Sequence, residues 1–222
     1  MDIEACKRDL NNETEEPFQK VTYKKKNHVP ATNRKGKPKK SIAIIGDSII
    51  KEIRDHLPTF DHAKVTVNSY PGATTAQLYK YTESLDFKPD AVMVHVGTND
   101  LTMTENDDEV ADNIINFVKH LNGKYGIPVI IALLTYRIDF KHKHSRRIKG
   151  VNEALRARCG DLDVGYIENN NIRKYHLGTG GVLLNKEGSA ILAENFRRVI
   201  NVLNFNKRGK QQTRIKKKGP GR

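Results

Sequence analysis

The chain reads as one α/β domain, a five-stranded parallel sheet covered by helices on both faces, set between two charged tails. Three observations predict this. From Ser41 to Leu203, apolar strand-like runs alternate with amphipathic segments of helical period. Most of the strand-like runs are apolar throughout, as strands buried on both faces must be. Charge also separates along the chain. Residues 1–19 hold six acids and two bases, residues 20–40 hold nine Lys/Arg and no acid, and residues 204–222 hold eight Lys/Arg and no acid. Those segments account for the whole net charge of +13, so residues 41–203 are neutral.

Each element follows from its own pattern. Ile42–Ile45 is the first buried strand, and Ile49–Leu57 reads as a helix after it. Lys64–Tyr70 alternates polar and apolar and reads as the second strand, followed by a helix over Thr74–Leu85. Ala91–Val96 is the third strand. Asp107–Asn122 places Val110, Ile114, Ile115, Val118 and Leu121 at helical spacing, with Gly123 as the expected stop. Ile127–Leu134 is the fourth strand, its Pro128 near the start, where a strand tolerates one. A helix over Arg146–Arg158, a short strand over Leu162–Ile167 and a helix over Lys186–Leu203 complete the domain.

Ligands of such sheets bind beyond the carboxyl ends of the strands. Gly46-Asp47-Ser48 follows the first strand, Pro71-Gly72 the second, and Gly97-Thr98-Asn99-Asp100 the third, so all three fall on one rim. Ser48, at the first turn of a helix, has backbone N–H groups around it that favour developing negative charge. Its hydroxyl can attack an acyl carbon if a base takes the proton. The Ser48 N–H, the Gly72 N–H and the Asn99 amide are candidate donors to the resulting oxyanion. Each motif also has a plain structural reading: Asp47 or Ser48 as a helix cap, Asn99 as a turn residue.

Together these residues resemble the SGNH (GDSL-type) hydrolase superfamily over roughly residues 41–204. Within it, they are similar to SGNH-like domains of animal genomes, some of which belong to first-reading-frame proteins of non-LTR retrotransposons. The resemblance implies a three-layer flavodoxin-like fold and a serine esterase acting on a small ester or acetyl group. Ser48 would be the nucleophile, Ser48, Gly72 and Asn99 the oxyanion hole, and Asp47, Asp100 and Leu183 the substrate side of the rim. The family's fourth block is Asp-x-x-His before Leu-Asn and a nearby Gly. Here Leu184-Asn185-Lys186-Glu187-Gly188 keeps that frame but puts Leu183 at the histidine position and Gly180 at the aspartate position. The gap predicts activity that is weak or lost. His176, seven residues before Leu183, is the first candidate for a replacement base, with His142 and His144 second; His95 reads as a satisfied core residue.

The alternative is a non-catalytic binding module of the same fold. In either case residues 1–40 and 205–222 read as disordered tails, and the basic stretches 20–40 and 204–222 as contacts to RNA or DNA or as a nuclear address. No spacing suits a metal or other cofactor, Lys141-His142-Lys143-His144 being too cationic for zinc. Cys6 and Cys159 form no disulfide framework, and no run approaches the length of a membrane span, so an intracellular protein, cytoplasmic or nuclear, is expected.

Overall fold

The apolar runs become a parallel sheet because each is flanked by a segment able to cross back over it. A computed structural model describes residues 39–83, 88–138 and 143–203, with side chains from 146 onward in the last stretch. The expected tails, residues 39 and 40 apart, lie outside the described residues. The strands are β1 (Lys40–Gly46), β2 (Ala63–Ser69), β3 (Ala91–His95), β4 (Val129–Ala132) and β5 (Tyr166–Ile167). They form one sheet in the order β2-β1-β3-β4-β5, every pairing parallel. The helices are α1 (Thr75–Glu83), α2 (Asp107–Tyr125), α3 (Lys143–Leu162) and α4 (Lys186–Val202).

Alternation along β1 divides the core in two. Ala43 and Ile45 face a cluster built with α1, α2 and α3, while Ile42 and Ile44 face one built with Ile49, Ile50 and Ile53 and with α4. Burial on both faces is why the sequence shows a continuous apolar run there.

Three element expectations are corrected. Ser48–His56 is a 3-10 helix, and its three β-branched isoleucines are residues that crowd a regular α-helical turn. The second long helix runs through Gly123 and ends at Gly126, whose φ of +62° supplies the left-handed cap. The last strand is only Tyr166–Ile167, because α3 extends to Leu162 and the chain turns at Asp163, φ +53°. Two short 3-10 turns, Asp100–Thr102 and Lys174–His176, carried no period long enough to read.

The order reverses between β1 and β3, and such a switch point is where open α/β sheets bind ligands. Gly46 pairs in register with both Ser69 and His95, so the loops after β1, β2 and β3 leave the sheet side by side.

Candidate active site

Gly46 permits the first loop. A Cβ there would lie 2.2 Å from the His95 carbonyl oxygen, so only glycine lets β1 end this close to β3. The Asp47 N–H then donates to His95 O at 3.3 Å and the Tyr70 N–H to Gly46 O at 2.8 Å. Asp47 is the N-cap of the 3-10 helix: its Oδ1 accepts the Ile49 N–H at 2.9 Å. Ser48 opens that helix, half-buried, and among the described residues its N–H has no acceptor.

The second loop is a type II turn, Tyr70-Pro71-Gly72-Ala73. The Ala73 N–H donates to Tyr70 O at 3.0 Å, with proline at the first central position and Gly72 at φ +74° in the second. Gly72 is exposed, and its N–H has no acceptor among the described residues.

The third loop ties down the second. Asn99 Nδ2 donates to Ala73 O at 3.0 Å, leaving one amide hydrogen for a ligand. The Asp100 carboxylate accepts the Thr75 N–H at 3.0 and 3.2 Å and thereby caps the start of α1. Ser48, Gly72 and Asn99 are thus the leading residues of three loops fixed to one another by backbone and side-chain hydrogen bonds.

The family decides what such a rim belongs to. A model of the GDSL-like lipase/acylhydrolase family matches residues 44–191, two-thirds of the sequence. The chain belongs to that family. Among solved structures it is similar to a GDSL-like lipase from Bacteroides thetaiotaomicron, 19% identical, TM-score 0.60, covering 73% of this chain and 88% of the other. It is also similar to a lipase/acylhydrolase from Enterococcus faecalis (18%, TM-score 0.60, covering 72% and 95%). A third likeness is to a catalytic mutant of an acetylxylan esterase from Geobacillus stearothermophilus (15%, TM-score 0.58, covering 77% and 97%). At these identities the likeness concerns the fold. No curated protein matches the chain in sequence.

In this GDSL-like chain two rim aspartates face inward instead of lining the substrate side. Asp47 and Asp100 are both buried, and both act as caps. Burial raises both from the ordinary aspartate value, Asp47 to about 7. The Ile49 N–H and Arg137 lower Asp47, and Asp100 raises it further, but burial dominates. Beside it lies His95, fully buried, its Nδ1 3.9 Å from Asp47 Oδ1. That distance is too long for a hydrogen bond, and burial lowers His95 to about 4, so the ring is neutral at pH 7 and the two form no ion pair. The expected satisfied core histidine is therefore buried but unsatisfied. Both its ring nitrogens, Asp47 Oδ2 and Thr98 Oγ1 lack a hydrogen-bond partner among the described residues.

His176 occupies a position that no free base would. It is 3% exposed, and its Nδ1 accepts the Arg173 N–H at 3.0 Å, closing the 3-10 turn Lys174–His176. With Nδ1 accepting, the neutral ring carries its proton on Nε2, which faces Glu187 Oε1 at 3.7 Å. This arrangement gives the expected replacement base a capping duty, because its lone pair is already engaged. The side chains of His142 and His144 lie outside the described residues.

The residues around position 183 are held for structural reasons. Asn185 caps α4 by accepting the Gly188 N–H at 2.9 Å and donates to Tyr175 O at 2.8 Å. A Cβ on Gly188 would meet His176 O at 2.4 Å. Leu184 pairs with Leu177 and packs on the core, which turns the preceding Leu183 outward, 49% exposed. Gly180 is exposed, with nothing within 4 Å of a Cβ.

Sequence reasoning missed Arg137. It follows β4 in no motif, yet its NH1 reaches Thr98 O at 3.5 Å and its charge acts on Asp47. It also missed the Asn169–Asn171–Asn195 network that joins α4 to the loop after β5.

Proposed function

We propose that this domain is an ester-binding site of the SGNH hydrolase kind whose nucleophile and oxyanion donors are in place but whose base is missing. The carrying observation is the pair of unengaged N–H groups, at Ser48 and Gly72, beside an Asn99 amide with a hydrogen to spare. A small ester or acetyl group would bind with its carbonyl oxygen toward those donors and its acyl carbon at Ser48 Oγ. Donors fixed in advance stabilise the developing oxyanion without reorganisation. The serine proton then leaves to water, which is slow, so turnover stays at the roughly 10³–10⁴-fold over water that such a site gives without its triad. A second reading, a binding module that holds an ester without turnover while residues 20–40 and 204–222 contact RNA or DNA, is favoured by Leu183 at the base position.

The test is p-nitrophenyl acetate hydrolysis by the parent, Ser48→Ala, and Gly180→Asp/Leu183→His. Slow parent turnover abolished in Ser48→Ala, and raised at least about a hundredfold in the double variant, is the expected result. A double variant no faster than the parent, or an unaffected Ser48→Ala, overturns the assignment.

A further inference from the structure

A cleft of about 840 Å³ opens between α3 and the segment after β5. Neither Ser48, Gly72 nor Asn99 lines it. We propose that this cleft binds a nucleotide unit of a single-stranded nucleic acid, independently of any ester chemistry at Ser48.

Three features carry the proposal. The first is charge. Residues 41–203 are neutral as a whole, yet the lining holds Lys149, Arg156, Arg173 and Lys174 against one carboxylate, Glu168. Arg156 is consumed by Glu168 through two bonds of 2.7 and 2.9 Å. Lys149 approaches Glu153 only to 3.9 Å with both side chains mostly exposed, a contact worth little in water. Arg173 and Lys174 are exposed and make no ion pair among the described residues. Three cations are therefore left to meet an anion.

The second is aromatic surface. Tyr175 is 69% exposed, although its backbone is fixed by Asn185 Nδ2 donating to its carbonyl and its ring lies edge-on against His176 at 4.2 Å. Tyr136 lines the cleft and is half-buried. An aromatic face held in place stacks on a base at small entropic cost, and every base offers a face to stack. The third is the floor, where the buried side chains of Leu134, Ile148 and Ile172 give a flat heterocycle an apolar seat.

The combination selects the ligand. An acidic peptide would use the cations but leave Tyr175 in water. A nucleotide uses both, the base on the tyrosine and the phosphate on Arg173 and Lys174. The same chain carries 17 further Lys/Arg in two acid-free stretches, which suit a longer polyanion better than a free mononucleotide.

The experiment measures binding of a fluorescein-labelled 12-nucleotide single strand to the full chain by anisotropy at several salt concentrations. Tyr175→Ala should weaken binding roughly tenfold with the salt slope unchanged, and Tyr175→Phe should restore it. Arg173→Glu/Lys174→Glu should weaken binding and flatten the salt slope by about two phosphates. All these positions are exposed, and far-UV circular dichroism checks the fold. Displacement by millimolar AMP, or only by unlabelled strand, would both support the site and would separate a mononucleotide pocket from a strand groove. Parent-like binding by Tyr175→Ala, or displacement by polyglutamate as effective as by the unlabelled strand, overturns the proposal.

Discussion

Replacing Asp47 by asparagine should change how stability depends on pH, and the change has a definite sign. Asp47 titrates at about 7 in the fold against a reference of 3.8. An acid whose folded pKa is raised holds its proton more tightly in the native state. Its contribution is most favourable in acid and is lost as pH climbs from 3.8 to about 7, roughly 4 kcal/mol in all. His95 behaves oppositely. Its pKa falls from 6.5 to about 4, so the unfolded chain takes up the proton first, and about 3 kcal/mol of stability returns as pH rises from 4 to 6.5. In the parent the two slopes nearly cancel between pH 4 and 6.5, hiding both. Asparagine keeps the oxygen that caps the Ile49 N–H but cannot ionise, so Asp47→Asn exposes the His95 slope alone. Urea unfolding of the two proteins at pH 4.5, 5.5, 6.5 and 8, followed by circular dichroism, measures the difference directly, and background carboxylates drop out of it. The variant should match the parent near pH 4, gain steadily, and stand up to about 4 kcal/mol more stable above pH 7. A difference that stays flat or runs the other way would show that Asp47 is held ionised by its neighbours, and the picture of an uncharged pair beneath the rim would fall.

Two further outcomes follow from packing. Asn195→Ala removes the centre of a buried amide network and leaves Asn169 and Asn171 short of partners, so it should cost about 2–4 kcal/mol in urea unfolding; a loss below about 0.5 kcal/mol would mean that water replaces those bonds freely. Gly46→Ala places a methyl 2.2 Å from a backbone oxygen of β3, so it should lower the thermal midpoint by several degrees through a shift of β1 against β3; an unchanged midpoint would show that the close approach is not required.

Sheet and rim were legible for a shared reason. Doubly buried strands must be apolar throughout, and a ligand rim must lie at their carboxyl ends, so Ile42–Ile45 and Ala91–Val96 place Ser48 and Asn99 at the ends of neighbouring strands. Gly72 could be placed because a proline followed by glycine is a turn with its own chemistry. What could not be read is set by partners distant in sequence. Nothing local distinguishes His176, engaged by Arg173 and shut in under Gly188, from a histidine free to move. Arg137 carries no motif, and its relation to Asp47 exists only because the loop after β4 lies over the loop after β3. The two aspartates looked like rim groups because the chain places them next to rim residues, but each carboxylate is buried against a backbone N–H that it accepts, Ile49 for Asp47 and Thr75 for Asp100.

That division of labour bears on why the residues of this rim can persist whatever stands at position 183. Gly46 lets two strands approach, Asp47 and Asp100 cap helices, and Asn99 holds the Gly72 turn; changing Gly46 makes a clash, losing either aspartate leaves an unpaired backbone N–H, and losing Asn99 leaves the Ala73 carbonyl without its donor. Asn185 and Gly188 fix the start of α4 in the same way. Position 183 has no such duty. Its backbone carbonyl accepts the Gly178 N–H whatever the side chain, and the side chain itself stands half in solvent. A leucine there costs the fold little, whereas a change at any of the other positions costs about 1 kcal/mol or more. These motif residues thus report first on stability, and only the behaviour of Ser48 in Leu183→His reports on catalysis. By the same reasoning, Leu183→His should leave the unfolding midpoint where it is. A clear loss of stability would mean that Leu183 packs on something the fold depends on, and that its presence is structural rather than permissive.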